Sequence, residues 1–258
     1  MLKLDRVGKR IAGRWLVRDV TFEVAPSRVT ALVGPNGSGK STLLRLLAGL
    51  WQPSEGTVWV DGTDAAGMTR RDLASRIGYV SQASHIGVPF TVREAVLMGR
   101  HPHLGRFQSP GRQDLEAVER ALARADVLHL ADRPVNRLSG GELQRAVVAR
   151  CLATEAKAIL LDEPTASLDL EHCLEIHQLL RDLVAGGSSV VVALHDLNAV
   201  LRWADWAVVL DRGRVVATGR PDLVLTPGNV AAVFGVDLER FRSERGVESL
   251  VFHRPEAS

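Results

Sequence analysis

A glycine-rich stretch follows the pattern G-x-x-x-x-G-K-S/T, which binds phosphate groups. Its residues and the threonine after it are Gly34, Pro35, Asn36, Gly37, Ser38, Gly39, Lys40, Ser41 and Thr42. The apolar run 29–33 precedes the stretch and leucines at helical spacing follow it. We therefore expect a loop between a buried strand and the start of a helix. Glycines let successive N–H groups of such a loop point at phosphate oxygens, and the helix N-terminus adds partial positive charge.

Two side chains of this loop have predicted roles. We expect Lys40 to reach the β- and γ-phosphates of a nucleotide and the hydroxyl of Ser41 to bind Mg²⁺. Kinases, GTPases and motor ATPases share the pattern, so by itself it predicts nucleotide binding without a particular reaction.

Two adjacent acids, Asp162 and Glu163, follow the apolar run 158–161, and Pro164 ends the predicted strand. An aspartate at the end of such a strand binds Mg²⁺ directly or through water in enzymes with this phosphate loop. Side chains alternate along a strand, so Glu163 points elsewhere than Asp162. We expect Glu163 to orient or deprotonate the water that attacks the γ-phosphate.

A third motif, Ser139-Gly140-Gly141, precedes a stretch with helical character. A serine and two glycines at the start of a helix offer a hydroxyl, free N–H groups and the helix dipole to an anion. In isolation this is a helix cap. Because it lies between the phosphate loop and the strand that ends in Asp162, it narrows the choice among the families of nucleotide-binding proteins that share the loop.

Together these motifs resemble the ABC ATPase family, and the resemblance extends from about Leu2 to Gly219. Gln82 resembles the glutamine of the family's Q-loop, Ser167-Leu168-Asp169 resembles the D-loop, and His195 resembles the switch histidine.

The resemblance implies roles for these residues and a shared site. Ser139, Gly140 and Gly141 are expected to bind the ATP held by a second copy of the chain. Asp169 is expected to act across the same dimer interface. Gln82 is expected to join Ser41 and Asp162 at Mg²⁺ and to respond to the γ-phosphate, and His195 to contact that phosphate.

The predicted fold is α/β: a P-loop ATPase core with an N-terminal antiparallel β subdomain and an inserted helical subdomain. Alternating strand and helix signals favour a largely parallel sheet. We predict one domain over 1–258, with the core in 1–90 and 151–235, the helical insertion in 91–150 and a solvated tail in 236–258. On the insertion, Ala117, Val118, Ala121, Leu122 and Ala125 mark one buried helix face, and Glu116 can pair with Arg120.

The sequence leaves open which residue contacts the adenine base. The family commonly stacks adenine on an aromatic residue ahead of the phosphate loop, near the position of Ile11 in this chain. Ile11 offers only apolar contact. Trp15 could substitute, or it could be a strand residue that packs on the core.

The segment Thr91–His103 resembles the one after the Q-loop in importers of ferric siderophores, haem and cobalamin, and His195-Asp196-Leu197 suits the same branch. His101 and His103 flank a proline without complementary metal ligands, so we expect them near the surface that meets a membrane subunit.

The resemblance also implies partners: a homodimer of this chain, integral-membrane permease subunits, and a periplasmic or surface substrate-binding protein that acts indirectly. Nothing in the sequence separates the three cargoes, because the cargo passes through the permease.

Composition limits the remaining alternatives. The chain has 258 residues and a formal net charge of +2, with basic and acidic residues interspersed, so no nucleic-acid partner is expected.

The sequence contains no signal peptide pattern and no apolar run long enough to span a bilayer, which predicts a location at the cytoplasmic face of the membrane. One alternative is an ABC ATPase that energises transport of another substrate. The others are a soluble ABC ATPase of DNA repair or translation, which usually has two cassettes or a long coiled coil, and a kinase or GTPase, which leaves the Ser139 motif unexplained. Cys151 and Cys173 are expected to be buried or half-buried thiols.

Overall fold

The computed structural model describes residues 1–82, 90–166, 168–244 and 246–255. Its strands are β1 (Leu2–Ile11), β2 (Arg14–Val24), β3 (Val29–Val33), β4 (Glu55–Val60), β5 (Thr63–Asp64), β6 (Ile77–Val80), β7 (Ala158–Asp162), β8 (Ser189–Leu194), β9 (Trp206–Asp211), β10 (Arg214–Gly219), β11 (Asp237–Arg242) and β12 (Glu248–His253). Its α-helices are α1 (Lys40–Leu47), α2 (Arg70–Arg76), α3 (Val92–Leu97), α4 (Arg112–Arg124), α5 (Gly140–Leu152), α6 (Leu170–Ala185), α7 (Leu197–Trp203), α8 (Pro221–Val224) and α9 (Pro227–Phe234). Short 3₁₀ helices span Ala65–Gly67, Met98–His103, Leu128–Leu130 and Val135–Arg137.

A mixed sheet with the order β10-β9-β3-β8-β7-β6 forms the centre of the molecule. β6, β7, β8, β3 and β9 are parallel neighbours, and β10 closes the sheet as an antiparallel edge strand. Every residue of β3 and β7 is buried, because helices or the second sheet cover both faces. The apolar runs in the sequence therefore predicted these strands correctly.

The N-terminal sheet, with the order β2-β1-β4-β5, is antiparallel. Its buried side chains, among them Leu4 and Val20, share a core with α1 and with the facing side of the central sheet. Leu43, Leu44 and Leu47 of α1 are fully buried there. This packing fixes the helix whose first residue is Lys40.

Helices α3, α4 and α5 pack on one another between residues 92 and 152. The predicted helix face is buried, with Ala117, Val118, Ala121, Leu122 and Ala125 each at most 2% exposed. The bounds predicted for the inserted subdomain stay a prediction.

The predicted pair of Glu116 with Arg120 is wrong. Glu116 accepts a hydrogen bond of 2.8 Å from Arg112, one turn earlier on the same helix. Arg120 instead donates to Glu155, at 2.9 Å, because that carboxylate lies beside α4 and already binds the buried Arg100.

The C-terminal segment, predicted as a solvated tail, is largely exposed and also contains regular structure. β11 and β12 pair as an antiparallel hairpin. Leu238 and Leu250 are only 6% and 3% exposed and belong to the main core. Two leucines among charged residues are a weak sequence signal, yet they join the hairpin to the core of the domain.

Both cysteines are free thiols, Cys151 buried and Cys173 partly buried, as expected. Burial raises the pKa of the Cys151 thiol to about 12, so it stays protonated. Among the described residues, every helix is too short or too polar to cross a membrane.

Candidate active site

The glycine-rich loop joins β3 to α1 and has a backbone that other residues rarely adopt. Gly34, Gly37 and Gly39 have φ values of 156°, 80° and 107°. A Cβ on Gly34 would lie 2.2 Å from the carbonyl oxygen of Leu210, and one on Gly39 would lie 2.5 Å from Val17 Cγ1. The curl of the loop therefore requires glycine at positions 34 and 39.

Lys40 is folded back over this loop. Its Nζ donates hydrogen bonds to the carbonyl oxygens of Gly34, at 2.8 Å, and Pro35, at 3.2 Å. The residue is only 4% exposed. Burial lowers the pKa of Lys40, and the nearby carboxylates of Glu163 and Asp162 oppose that shift. The loop thus holds one ammonium group at a fixed place in the cleft.

Asp162, the last residue of β7, is held by two hydroxyl groups. Ser41 Oγ donates to Asp162 Oδ1 at 2.9 Å, and the Tyr79 hydroxyl donates to Oδ2 at 3.5 Å. Burial raises the pKa of Asp162, and the neighbouring charge of Glu163 raises it further, while the bond from Ser41 lowers it. Tyr79 was not predicted as a site residue, because its contact with Asp162 depends on the pairing of β6 with β7.

The Ser41 hydroxyl and the Asp162 carboxylate suit Mg²⁺. Magnesium in nucleotide sites is typically bound by one or two protein oxygens, with substrate phosphates and water completing the octahedron. A buried carboxylate whose charge is disfavoured would gain from a nearby cation. No cluster of three or more His, Cys, Asp or Glu suited to a metal occurs in the described part of the chain, His101 and His103 included.

Glu163 lies one residue beyond β7 with φ 52°, so its side chain leaves the strand in a new direction. Gln82 Nε2 donates to Glu163 Oε2 at 2.7 Å, and His195 Nε2 contacts Oε1. Gln82 follows β6, Glu163 follows β7 and His195 follows β8. Three neighbouring parallel strands therefore bring these side chains to one point at the carboxyl edge of the sheet.

These groups line one cleft of about 460 Å³. Its lining residues are Leu16, Asn36, Gly37, Gly39, Lys40, Ser41, Thr42, Gln82, Glu163 and His195. Of the predicted loop residues, Gly34, Pro35 and Ser38 are not among those that line the cleft. The Ser38 hydroxyl is buried and has no hydrogen-bond partner among the described residues.

The Ser139 motif lies away from the cleft. Ser139 caps α5 through two reciprocal hydrogen bonds with Glu142. The Ser139 N–H donates to the Glu142 carboxylate at 2.7 Å, and the Glu142 N–H donates to the Ser139 hydroxyl oxygen at 3.3 Å. Gly141 is buried, and a Cβ there would lie 2.1 Å from His172 Cδ2. None of Ser139, Gly140 and Gly141 is among the residues lining the cleft in the described chain.

Asp169 is also separate from the cleft. It caps α6 and accepts bonds from the His172 N–H, at 3.0 Å, and from His172 Nδ1, at 2.5 Å. The imidazole of His172 therefore lies between the start of α6 and Gly141 at the start of α5. Ser167, the first residue of the predicted D-loop, lies outside the described residues.

Neither candidate for adenine contact lines the cleft. Ile11 is 45% exposed at the end of β1. Trp15 is half-buried, with the guanidinium groups of Arg10 and Arg18 at 5.5 and 5.4 Å from its ring centroid. Leu16, which the sequence did not single out, lines the cleft instead.

The family model described as "ABC transporter" matches residues 17–166, more than half of the chain. The chain belongs to the ABC transporter family. As a member, it is an ATPase that binds ATP, and its predicted fold is confirmed.

Curated relatives of this ABC ATPase carry the names of three importers. The hemin import ATP-binding protein HmuV of Gloeobacter violaceus is 42% identical over 95% of this chain and 91% of its own length. The ferric enterobactin transport ATP-binding protein FepC of Escherichia coli is 39% identical over 87% of this chain and 83% of its own. The cobalamin import ATP-binding protein BtuD of Halobacterium salinarum is 44% identical over 87% of this chain, which spans 56% of that longer protein.

Solved structures agree with the fold. An inward-facing metal-chelate type ABC transporter matches with a TM-score of 0.85 and 30% identity, covering 97% of this ABC ATPase and 96% of that chain. A dimeric ATP-binding cassette in a post-hydrolysis state, bound to ADP and Pi, matches with a TM-score of 0.75 and 30% identity over 86% of this chain and 99% of that chain.

The raised pKa of Asp162 leads to a prediction about stability without nucleotide or metal. Because its pKa is raised above that of the unfolded chain, the ionised carboxylate costs the folded state stability at neutral pH. This cost decreases as the pH falls through the raised pKa and is gone below the pKa of the unfolded chain. We expect Asp162→Asn to raise the Tm by about 2 °C at pH 7.5, and by progressively less towards pH 4. The exposed Asp132→Asn is the control, with an unchanged Tm. A lower Tm for Asp162→Asn at pH 7.5 would contradict the prediction.

Proposed function

We propose that this ATPase energises an ABC importer of a metal chelate: haem, a ferric siderophore or cobalamin. The contact of Glu163 with both Gln82 and His195, inside a cleft lined by the phosphate loop, carries the proposal for ATP hydrolysis. The importer class is supported by relatives near 40% identity that are named for hemin, ferric enterobactin and cobalamin import.

In the proposed site, the N–H groups of the loop and the ammonium of Lys40 bind the β- and γ-phosphates. The buried position of Lys40 supports this, because a charge in a site of low dielectric attracts phosphate more strongly than one in water. The hydroxyl of Ser41 and the carboxylate of Asp162 would hold Mg²⁺, with Gln82 as a further oxygen ligand. That ion would neutralise the charge that develops on the transferred phosphoryl group.

Glu163 acts on the attacking water. Its carboxylate accepts from Gln82 and contacts His195, so the carboxylate is oriented before the nucleotide arrives. A water that replaces one of these contacts would donate to Glu163 and present its lone pair to the γ-phosphorus. His195, freed on that side, would donate to a γ-phosphate oxygen.

The Ser139 turn binds the same triphosphate from a second copy of the chain. Ser139 and Gly140 are exposed at the start of α5, where the helix offers N–H groups and its dipole to an anion. Asp169 is exposed at the start of the adjacent helix α6. In the closed dimer ATP bridges the two chains, and hydrolysis removes the bridge.

A groove on another face is the proposed docking site for the permease. It measures about 450 Å³ and lies between α2, the end of α1 and the 3₁₀ helix Met98–His103. Leu50 and Met98 are 56% and 43% exposed at this groove. The buried Arg100 anchors the 3₁₀ wall through bonds to Asp114, at 2.9 Å, and to the carbonyl oxygen of Ala153, at 2.8 Å.

With the permease bound at this groove, the protein would lie at the cytoplasmic face of the membrane. The substrate-binding protein would act on the ATPase only through the permease. No role for nucleic acid follows from this arrangement, and failure of the purified protein to bind DNA or RNA at any salt concentration would support it.

We expect Glu163→Gln to retain ATP binding and to lower the ATPase rate at least about a hundredfold, because the glutamine amide cannot accept a proton from water. The variant should accumulate a closed dimer with ATP, visible by light scattering. Exposed Glu171→Gln, on α6, is the control. An ATPase rate like that of the parent would rule out Glu163 as the catalytic base.

Mixed dimers test the shared site. Lys40→Ala removes the ammonium and should abolish nucleotide binding at its own loop, while a bulky residue in Ser139→Arg should block the opposite loop. We expect each variant alone to be inactive. When the two variants associate at random, about half of the dimers contain one copy of each. Each mixed dimer has one site in which both the loop and the opposite Ser139 turn are intact, so the mixture should recover the activity of that one site. No recovery on mixing would contradict a site built from two chains.

Reconstitution tests the importer and its groove. With the permease in proteoliposomes, loaded binding protein should stimulate ATP hydrolysis, and the cargo that stimulates identifies the chelate. Met98→Glu should abolish the stimulation with unchanged basal hydrolysis, because it introduces a charge at an apolar interface. The similarly exposed Leu115→Glu on α4, outside the groove, should leave stimulation intact. Equal stimulation of Met98→Glu would contradict the docking site.

A further inference from the structure

The C-terminal hairpin is bonded to the helix that follows His195. The side-chain amide of Asn198, in the first turn of α7, makes two hydrogen bonds to one residue of β12. Asn198 Nδ2 donates to the carbonyl oxygen of Leu250 at 3.0 Å, and the N–H of Leu250 donates to Asn198 Oδ1 at 2.7 Å. This paired amide contact is directional, so it fixes the orientation of α7 as well as its distance from the hairpin.

Apolar packing and a second anchor hold the hairpin in place. Leu238 and Leu250 lie in the same core as Leu197 of α7. On the other side, Arg240 donates to the carbonyl oxygens of Asp222, at 2.6 Å, and Leu225, at 3.0 Å. The hairpin is therefore a fixed support for α7.

The same asparagine also belongs to the cap that starts α7. The backbone N–H of Asn198 donates to Asp196 Oδ1 at 2.8 Å, and Asp196 directly follows His195. The histidine and the hairpin face one cavity of about 480 Å³, whose lining includes Glu163, His195 and Ser249. Asn198 thus connects the residue that contacts the catalytic carboxylate with an element at the far end of the chain.

We propose that Asn198 is a positioning residue: by fastening α7 to the C-terminal hairpin, it holds His195 in the orientation that serves hydrolysis. The proposal rests on the role proposed above for His195. α7 has only seven residues, so its direction depends on what it packs against. A small rotation at its start would move the imidazole relative to Glu163, and misplacement of a reacting group by about 1 Å can cost up to about a hundredfold in rate.

The coupling through Asn198 also acts in the reverse direction, from His195 to the hairpin. Coupling between two sites is reciprocal in free energy. If the hairpin stabilises one orientation of His195, then trapping that orientation with ATP stabilises the hairpin. Amide hydrogen exchange in 237–253 should therefore respond to nucleotide, although none of the hairpin residues that the structure describes lines the cleft of the phosphate loop.

Steady-state kinetics of the 258-residue chain test the proposal. We expect Asn198→Ala to lower kcat for ATP hydrolysis about five- to tenfold, with KM for ATP changed less than about twofold, because phosphate binding by the loop is untouched. Asn198→Asp, which keeps the bond from the Leu250 N–H and loses the donated one, should lie between this variant and the parent.

Asn229→Ala is the matched control. Asn229 also donates its backbone N–H to a helix cap, Thr226, and its side-chain amide to a carbonyl oxygen, that of Val224 at 2.8 Å. It should lower the Tm, by less than Asn198→Ala because it removes one side-chain hydrogen bond instead of two, and keep the parent kcat. An equal loss of kcat in both asparagine variants, or a parent-like kcat in Asn198→Ala, would overturn the proposal.

Two further measurements separate this proposal from the one it rests on. If His195→Ala keeps full turnover, the role of His195 fails and the positioning proposal fails with it. If His195→Ala is inactive but Asn198→Ala is not impaired, only the positioning proposal fails. Hydrogen exchange in the Glu163→Gln chain should slow in 237–253 on addition of ATP and Mg²⁺, and Asn198→Ala should abolish this protection. Protection that persists without the Asn198 amide would overturn the coupling.

Discussion

The carboxylate of Glu163 contacts Gln82 through one oxygen and His195 through the other, and this meeting depends on the order of strands in the central sheet. β6, β7 and β8 are parallel neighbours, so their carboxyl ends lie side by side. β3 is next in the row and contributes the loop with Lys40. A different strand order would separate four groups that are 155 positions apart in sequence at their extremes, from 40 to 195.

Charged side chains lie close together at the same edge of the sheet, and their desolvation lowers the stability of the isolated chain. Lys40, Asp162 and Glu163 lie close together in partial burial, and the pKa values of Lys40 and Asp162 are shifted towards their neutral forms by desolvation. The cleft is therefore not optimised for the stability of the isolated chain. Polyphosphate and a divalent cation would compensate these charges, which connects the arrangement to the proposed chemistry.

Sequence reasoning predicted what depends on local pattern. The run 158–161 became a buried strand, and the glycines at 34 and 39 lie where backbone freedom is required. It failed where the outcome depends on tertiary contacts. The choice of Arg112 over Arg120 as partner of Glu116 depends on Glu155, which is distant in sequence. Tyr79 reaches Asp162 only because β6 lies beside β7, and β11 pairs with β12 where a core accepts Leu238 and Leu250.

The imidazole of His172 occupies the space directly above Gly141. This glycine is consequently constrained from within its own subunit, since even a methyl group would collide with the ring unless the ring moved. Loss of activity on replacing Gly141 would therefore report first on a steric fit inside one protomer. Gly140, whose Cβ position is open, is the neighbour at which a substitution reports on contact with another molecule.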